Sequence, residues 1–192
     1  MPIWNFWLRE VIERVVLIGF MCSGKSTVGR ILAAKLDWEF LDFDEVIELE
    51  QDRTIADIFR DEGETFFREL EQGLTHRIQS RRNLVLAPGG GWVTQPYLLD
   101  RMRPGSLTVW LRVEPSTVVE RHRRQGDAVR PLLSLQEPQG RIEALLATRT
   151  PLYERADLVI DTDGRTREDI AEDIAQLVAS WPINPEPSPG SC

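Results

Sequence analysis

The chain of 192 residues carries 31 acidic and 23 basic side chains, which gives a net charge of −8, and 42% of its residues are hydrophobic. This length suits one ordinary domain, and the mixture of apolar and charged residues excludes a disordered chain. The acidic excess argues against a nucleic-acid-binding protein, which needs a basic surface. We therefore expect a globular domain with no nucleic-acid partner.

Buried-strand and helix patterns alternate along the chain. Apolar runs predict strands over residues 14–18, 38–42, 84–87, 107–111 and 157–160. Helical spacing predicts helices over residues 25–36, 54–62, 64–81, 115–124, 141–155 and 167–179, with Thr54 and Thr166 as N-caps. Apolar strands separated by helices predict an α/β fold, a three-layer α/β/α sandwich around a five-stranded, mostly parallel sheet.

The composition divides the chain into a domain and two terminal segments. One folded domain is predicted over residues 14–181, preceded by an extension over 1–13 and followed by a proline-rich tail over 182–192, for which we expect disorder. Residues 44–81 carry no strand pattern, so we expect this helical segment to cover one end of the sheet. Residues 121–137 are rich in Arg, Gly and Pro, which is typical of a lid or binding loop; an ordinary surface excursion is the alternative.

Three features bear on the compartment. The longest apolar run, residues 15–22, is far shorter than the roughly 20 residues that span a bilayer. Residues 1–14 lack the apolar core of a secretory signal, and Cys22 and Cys192 do not make a disulfide framework. We expect a cytoplasmic protein without membrane contact, and a monomer.

Residues 19–26 match the pattern G-x-x-x-x-G-K-[ST] between a predicted strand and a predicted helix. Glycines at both ends let the backbone curl so that several N–H groups face one point at a helix N-terminus, which favours phosphate. Lys25, one of only two lysines in the chain, then reaches the β- and γ-phosphates of ATP, and the Ser26 hydroxyl reaches Mg²⁺. The predicted nucleotide-binding residues of this P-loop are Cys22, Ser23, Gly24, Lys25, Ser26 and Thr27.

Phosphoryl transfer also needs carboxylates, and the second predicted strand ends in Asp42-Phe43-Asp44. If the extended geometry continues through residue 44, both carboxylates lie on one side of the strand. Asp42 would then hold water on Mg²⁺, while Asp44 would accept the proton of an attacking hydroxyl. The alternative is that Asp44 only caps the following helix.

Three glycines, residues 89–91, directly follow the third predicted strand. Consecutive glycines cost backbone entropy, which favours a close approach of the backbone to a ligand. A tight turn without a ligand is the alternative.

Six segments in order resemble the shikimate kinase family. They are GFMCSGKSTVGR at 19–30, DFD at 42–44, IFRDEGETFFRELE at 58–71, PGGG at 88–91, RPLL at 130–133 and RTPLYERAD at 149–157. The resemblance implies a nucleoside-monophosphate-kinase-like P-loop kinase with a lid. It also implies ATP-dependent phosphorylation of the 3-hydroxyl of shikimate, giving shikimate 3-phosphate and ADP, in the route to chorismate and aromatic amino acids.

The same resemblance implies roles for single residues around the acceptor. Asp44 corresponds to the contact with the acceptor hydroxyl and to the base, and Asp42 falls on the magnesium side. Arg68 and Arg149 correspond to the pair that holds the shikimate carboxylate. Gly90, flanked by Gly89 and Gly91, would contact the ring hydroxyls.

On the nucleotide side, the resemblance places Arg130 in the lid, where it would approach the transferring phosphate and complete a catalytic set with Lys25 and Asp44. Arg123 and Arg165 fall near adenine contacts. Cys22 departs from the family, which usually has Gly or Ala at that position of the loop. A gluconate kinase or nucleoside-monophosphate kinase of the same fold, and an inactive nucleotide-binding regulator, are the alternative functions.

Overall fold

The computed structural model describes residues 11–125 and 138–181, and its centre is a five-stranded sheet. The strands are β1 Arg14–Ile18, β2 Glu39–Asp42, β3 Leu84–Ala87, β4 Ser106–Arg112 and β5 Leu158–Asp161. They lie in the order β2-β3-β1-β4-β5, and every neighbouring pair is parallel. The predicted α/β fold is confirmed, and the sheet within the described residues is wholly parallel.

Eight α-helices connect or flank these strands in the described part of the chain. They are α1 Lys25–Leu36, α2 Phe43–Gln51, α3 Ile55–Asp61, α4 Gly63–Ile78, α5 Pro96–Met102, α6 Pro115–Gln125, α7 Pro138–Tyr153 and α8 Arg167–Ser180. The side chains of Thr54 and Thr166 accept hydrogen bonds from backbone N–H groups three residues on, which confirms both predicted caps. Helix α5 and the 3₁₀ turn Trp92–Thr94 before it were not predicted, because segments this short show too little periodicity.

The two faces of the sheet bury separate apolar clusters, as expected where helices cover both sides. Val16 and Ile18 of β1 point into one cluster with Phe43 of α2 and Trp92, whereas their neighbours Val15 and Leu17 point into the other. That second cluster includes apolar side chains of α1 and α8. It also includes Ile12, so part of the predicted terminal extension packs on the domain core.

The strand order places the carboxyl ends of β2, β3 and β1 side by side. Asp42 and Ala87, the last residues of β2 and β3, are partners in the sheet register. Ligands of open parallel sheets bind outside the carboxyl ends of the strands. We therefore expect a binding site among the segments that follow these three strands. Among the helices that the structure describes, none is long and apolar enough to cross a membrane.

Candidate active site at the carboxyl edge of the sheet

The P-loop, residues 19–24, runs from the end of β1 to the start of α1. Lys25 folds back over it, and its Nζ donates to the carbonyl oxygens of Gly19 and Phe20 at 2.9 and 3.0 Å. Gly19 has a φ of +149°, and a Cβ there would lie 2.6 Å from the carbonyl oxygen of Leu111, so the turn requires glycine. Cys22 is buried and has a φ of +59°, a left-handed conformation that costs free energy for a residue with a Cβ.

A cavity of about 290 Å³ opens in front of this loop, and we call it the P-loop cavity. Its lining residues are Cys22, Gly24, Lys25, Ser26, Thr27, Arg121, Arg124 and Arg167. Four cationic side chains around a helix N-terminus suit a polyphosphate. Of the predicted loop residues, Ser23 is fully buried and does not line this cavity.

The three arginines of the P-loop cavity were missed by sequence reasoning. Arg121 ties α6 to the loop, because its Nη1 donates to the carbonyl oxygen of Cys22 at 2.8 Å and its Nη2 to that of Thr162 at 3.4 Å. Burial and the nearby charge of Arg167 lower the pKa of Arg121. Arg167 also crowds the loop, since a Cβ on Gly24 would lie 2.9 Å from its Nε. The arginine-rich stretch 121–124 was the available signal, but its sequence does not say which of its arginines faces the loop.

Two predicted adenine contacts lie away from this lining. Arg123 is exposed on α6, and Arg165 donates to Oδ2 of Asp173 at 2.6 Å. Neither residue lines the P-loop cavity. The predicted lid residue Arg130 lies outside the described residues.

Ser26 and Asp42 connect the P-loop with the end of β2. The Ser26 hydroxyl donates to Oδ2 of Asp42 at 2.5 Å, while Oδ1 of Asp42 accepts from the backbone N–H of Asp44 at 3.0 Å. Asp42 is therefore the N-cap of α2. The expectation of extended geometry through residue 44 is wrong, because this cap starts the helix at Phe43; the alternative that Asp44 is the cap is wrong for the same reason.

The oxygens of Ser26 and Asp42 fit a magnesium ion. Mg²⁺ prefers oxygen ligands and is usually held by one or two carboxylates together with waters and substrate phosphates. Across residues 11–125 and 138–181, no group of three or more His, Cys, Asp or Glu side chains could hold a metal by itself. A site completed by phosphates is the kind that this pair of side chains can support.

A second cavity of about 400 Å³ lies beside Asp44, and we call it the Asp44 cavity. Its lining residues are Met21, Ser26, Asp42, Asp44, Glu45, Glu48, Ile55, Ala56, Phe59, Phe67, Arg68, Gly89, Gly90, Gly91 and Arg149. Asp44 lies in the first turn of α2 and Arg68 on α4, so the helical segment after β2 supplies much of one wall. Ser26 lines both cavities, which therefore meet at the start of α1.

Arg68 is held by two glutamates that sequence reasoning missed. Its Nη1 donates to Oε2 of Glu71 at 2.6 Å, and its Nη2 donates to Oε1 of Glu64 at 2.7 Å. Glu71 is fully buried, and burial raises its pKa to about 7 although the charge of Arg68 acts to lower it. Its other oxygen, Oε1, has no hydrogen-bond partner among the described residues. The spacing of both glutamates from Arg68 on a predicted helix was the available signal.

Arg149 enters the same cavity from α7 and is only 9% exposed. Its Nη1 donates to the carbonyl oxygen of Gly90 at 3.4 Å, and the hydroxyl of Tyr153 donates to the same oxygen at 2.6 Å. Burial raises the pKa of Tyr153 to about 12, so this hydroxyl keeps its proton at neutral pH. These contacts hold Arg149 at Gly90, next to Gly91, whose backbone lies against Arg68.

The glycine segment 89–91 is both a turn and a close approach. The backbone N–H of Trp92 donates to the carbonyl oxygen of Gly89 at 3.0 Å, which closes the turn. A Cβ on Gly91 would lie 2.2 Å from Nη2 of Arg68, and one on Gly89 would lie 2.9 Å from Oε1 of Glu71. The absence of side chains here lets Arg68 and Glu71 pack directly against the backbone.

Comparison with known proteins connects this geometry to one family. A family model described as "Shikimate kinase" matches residues 21–179. The shikimate kinase of Moorella thermoacetica is 44% identical over 87% of this chain and 95% of its own length, and that of Thermodesulfovibrio yellowstonii is 40% identical over 85% and 93%. A solved structure of shikimate kinase from Acinetobacter baumannii in complex with shikimate superposes with a TM-score of 0.84 at 38% identity, covering 91% of this chain and 97% of that chain.

Proposed function

The chain belongs to the shikimate kinase family. We propose that it transfers the γ-phosphoryl group of ATP to the 3-hydroxyl of shikimate, with ATP in the P-loop cavity and shikimate in the Asp44 cavity. The observation that carries the proposal is the meeting of the two cavities at Ser26. A cation-lined cavity suits the donor phosphates, and a cavity whose lining combines two arginines with four carboxylates, Asp44 among them, suits a carboxylated polyol. Transfer then takes place where the two cavities meet.

On the acceptor side, Asp44 accepts the proton of the 3-hydroxyl as its oxygen attacks the γ-phosphorus of ATP. The new O–P bond forms while the bond to the ADP oxygen breaks, and the proton leaves on the Asp44 carboxylate. Arg68 and Arg149 hold the substrate carboxylate, which fixes the orientation of the ring. Gly89, Gly90 and Gly91 let the ring hydroxyls approach the backbone.

On the donor side, Lys25 leaves the carbonyl oxygens of Gly19 and Phe20 and donates to the β- and γ-phosphates. Arg121, Arg124 and Arg167 offset further negative charge in the P-loop cavity. The role of Arg130 near the transferring phosphate rests on the family resemblance. The adenine contacts of Arg123 and Arg165 rest on the same resemblance.

Ser26 and Asp42 would hold Mg²⁺ beside the phosphates, since their oxygens already lie in contact. The ion, when bound, neutralises charge on the β- and γ-phosphates. Asp42 keeps its second oxygen on the backbone N–H of Asp44, and this hydrogen bond holds the carboxylate in place. The monomeric state and the cytoplasmic location are also proposals, for size-exclusion chromatography with light scattering and cell fractionation to test.

Shikimate-dependent release of ADP tests the proposed function. The protein is incubated with ATP and Mg²⁺, and ADP is measured with shikimate, with gluconate, with a nucleoside monophosphate or without an acceptor. We expect turnover with shikimate alone. Turnover with another acceptor and none with shikimate would overturn the proposal. No release of ADP with any of the three acceptors would favour the alternative of an inactive nucleotide-binding regulator.

The two lysines of the chain supply a matched pair of variants for this assay. Lys25→Met removes the ammonium group of the P-loop and should abolish turnover. Lys35→Met removes the same group at the exposed contact with Glu172, where Nζ lies 2.7 Å from a carboxylate oxygen, and should leave turnover unchanged.

A further inference from the structure

The guanidinium group of Arg68 already contacts two carboxylates of its own helix. Its Nε and Nη2 both donate to Oε1 of Glu64, at 3.2 and 2.7 Å, while Nη1 donates to Oε2 of Glu71 at 2.6 Å. An arginine has two edges that can bind a carboxylate with two parallel hydrogen bonds. Glu64 occupies one of them, the edge formed by Nε and Nη2.

The other edge, formed by Nη1 and Nη2, is not open to a substrate. Nη1 is committed to Glu71, and the backbone of Gly91 lies against this part of the group, since a Cβ there would be 2.2 Å from Nη2 and 2.9 Å from Nη1. A second carboxylate can therefore bind Arg68 through two hydrogen bonds only where Glu64 now binds.

The two glutamates differ in how easily each can break its contact with Arg68. The side chain of Glu71 is 0% exposed, so breaking its ion pair would leave a buried charge without compensation. The side chain of Glu64 is 63% exposed, and water can solvate its carboxylate as soon as it turns away. The side chain of Arg68 is only 16% exposed, but it keeps a carboxylate partner when one carboxylate replaces another, and i,i+4 ion pairs contribute little to helix stability, so the exchange costs little.

We propose that Glu64 is a displaceable internal occupant of the carboxylate-binding edge of Arg68, and that the carboxylate of shikimate takes its place. The inference rests on the proposed function and deepens it, because it assigns a residue that sets the affinity for the acceptor. Displacing Glu64 subtracts from the free energy of substrate binding and leaves the phosphate contacts unchanged. Its influence therefore falls on the KM and Kd for shikimate and not on kcat.

Neutral variants at position 64 test this competition. Glu64→Gln keeps the size of the side chain, and Glu64→Ala also removes the hydrogen-bond acceptor while keeping a good helix former. Both should lower the KM for shikimate, and the Kd measured by calorimetry without nucleotide, by about two- to five-fold. The values of kcat and of the KM for ATP should stay within about two-fold of the wild type.

Glu69→Gln is the matched control. Glu69 is exposed on the same helix and is not an ion-pair partner of Arg68 within the described structure, so its variant removes the same charge without opening the edge. An unchanged or raised KM for shikimate in both position-64 variants would overturn the inference, as would an equal fall in Glu69→Gln. The release of ADP by the wild-type protein is measured first. Turnover with another acceptor and none with shikimate would contradict the proposed function itself, before any variant is compared.

Discussion

The Ser26 hydroxyl donates a hydrogen bond of 2.5 Å to Oδ2 of Asp42, and this contact joins the first turn of α1 to the last residue of β2. The same carboxylate caps α2 through its other oxygen. One side chain therefore positions both the proposed metal-binding hydroxyl and the backbone of Asp44. The site at the carboxyl edge of the sheet depends on this shared residue.

Asp42→Asn should separate the two roles of Asp42. Asparagine caps helices as well as aspartate does, so the free energy of unfolding should change by less than about 1 kcal/mol. The lost charge should weaken the apparent affinity for Mg²⁺ by about 10- to 100-fold, measured by titrating the metal at constant ATP. An unchanged magnesium dependence would show that Asp42 is only a cap.

Asp44→Asn tests the proposed general base. We expect kcat to fall by about 10²- to 10⁴-fold, because the amide cannot accept the proton of the attacking hydroxyl. The protein should fold normally, since Asp42 and not Asp44 caps α2. Thermal unfolding checks the fold, and a fall in kcat below about tenfold would remove Asp44 from the role of base.

Arg149→Ala tests the carboxylate contact. Truncating a buried charged partner of the substrate should cost roughly 2–5 kcal/mol of shikimate binding and leave ATP binding nearly unchanged, as measured by calorimetry for each ligand. Arg155→Ala, which removes an arginine that donates to the carbonyl oxygen of Pro96 outside both cavities, is the control. A parallel loss of ATP binding in Arg149→Ala would indicate a structural role.

Two glycine-to-alanine changes separate crowding of the site from the intrinsic effect of the methyl group. Gly91→Ala places a Cβ 2.2 Å from Nη2 of Arg68, so the guanidinium group must move. We expect kcat/KM for shikimate to fall by about 10- to 100-fold. Gly73→Ala, inside α4 and 3.9 Å from its nearest neighbour Arg77, should instead raise the free energy of unfolding by about 0.5–1 kcal/mol. Equal values of kcat/KM for shikimate in the two variants would contradict the close approach of Arg68 to Gly91.

The stability of the protein should depend on pH through Glu71. Burial raises the pKa of Glu71 to about 7 from an ordinary value of 4.5, so the folded protein binds this proton more tightly than the unfolded chain does. The stabilising contribution is complete below the unfolded pKa and is lost as the pH rises through about 7. Glu71→Gln has no such proton to lose.

Urea unfolding of the wild type and Glu71→Gln at several values between about pH 5 and about pH 8 measures this contribution. The free energy of unfolding of the wild type should fall relative to that of the variant over this range, by on the order of 2 kcal/mol. A constant difference between the two proteins would mean that Glu71 remains ionised throughout the range in the folded state.

Local patterns accounted for much of the fold. The bounds of β1, β3 and α1 agree with the predictions, because a buried apolar run, a turn signal and a helical period each arise from neighbouring residues. Thr54 and Thr166 cap helices as predicted, since capping depends on contacts three residues apart. The sequence did not predict that the helix after β2 starts at Phe43, because the pattern Asp-Phe-Asp fits an extended strand and a helix cap equally well.

The sequence by itself determined the alternation of strands and helices, the phosphate-binding loop and the family, all of which rest on the order and spacing of residues along the chain. Only the tertiary structure decided which charges meet in space. It brought Arg121 of α6 and Arg167 of α8 to the P-loop, and it buried Glu71 beside Arg68 and close to Gly89. Contacts between distant segments depend on strand order and helix packing, which no local pattern specifies. For this reason the net charge of −8 did not indicate that the P-loop cavity is lined by cationic side chains.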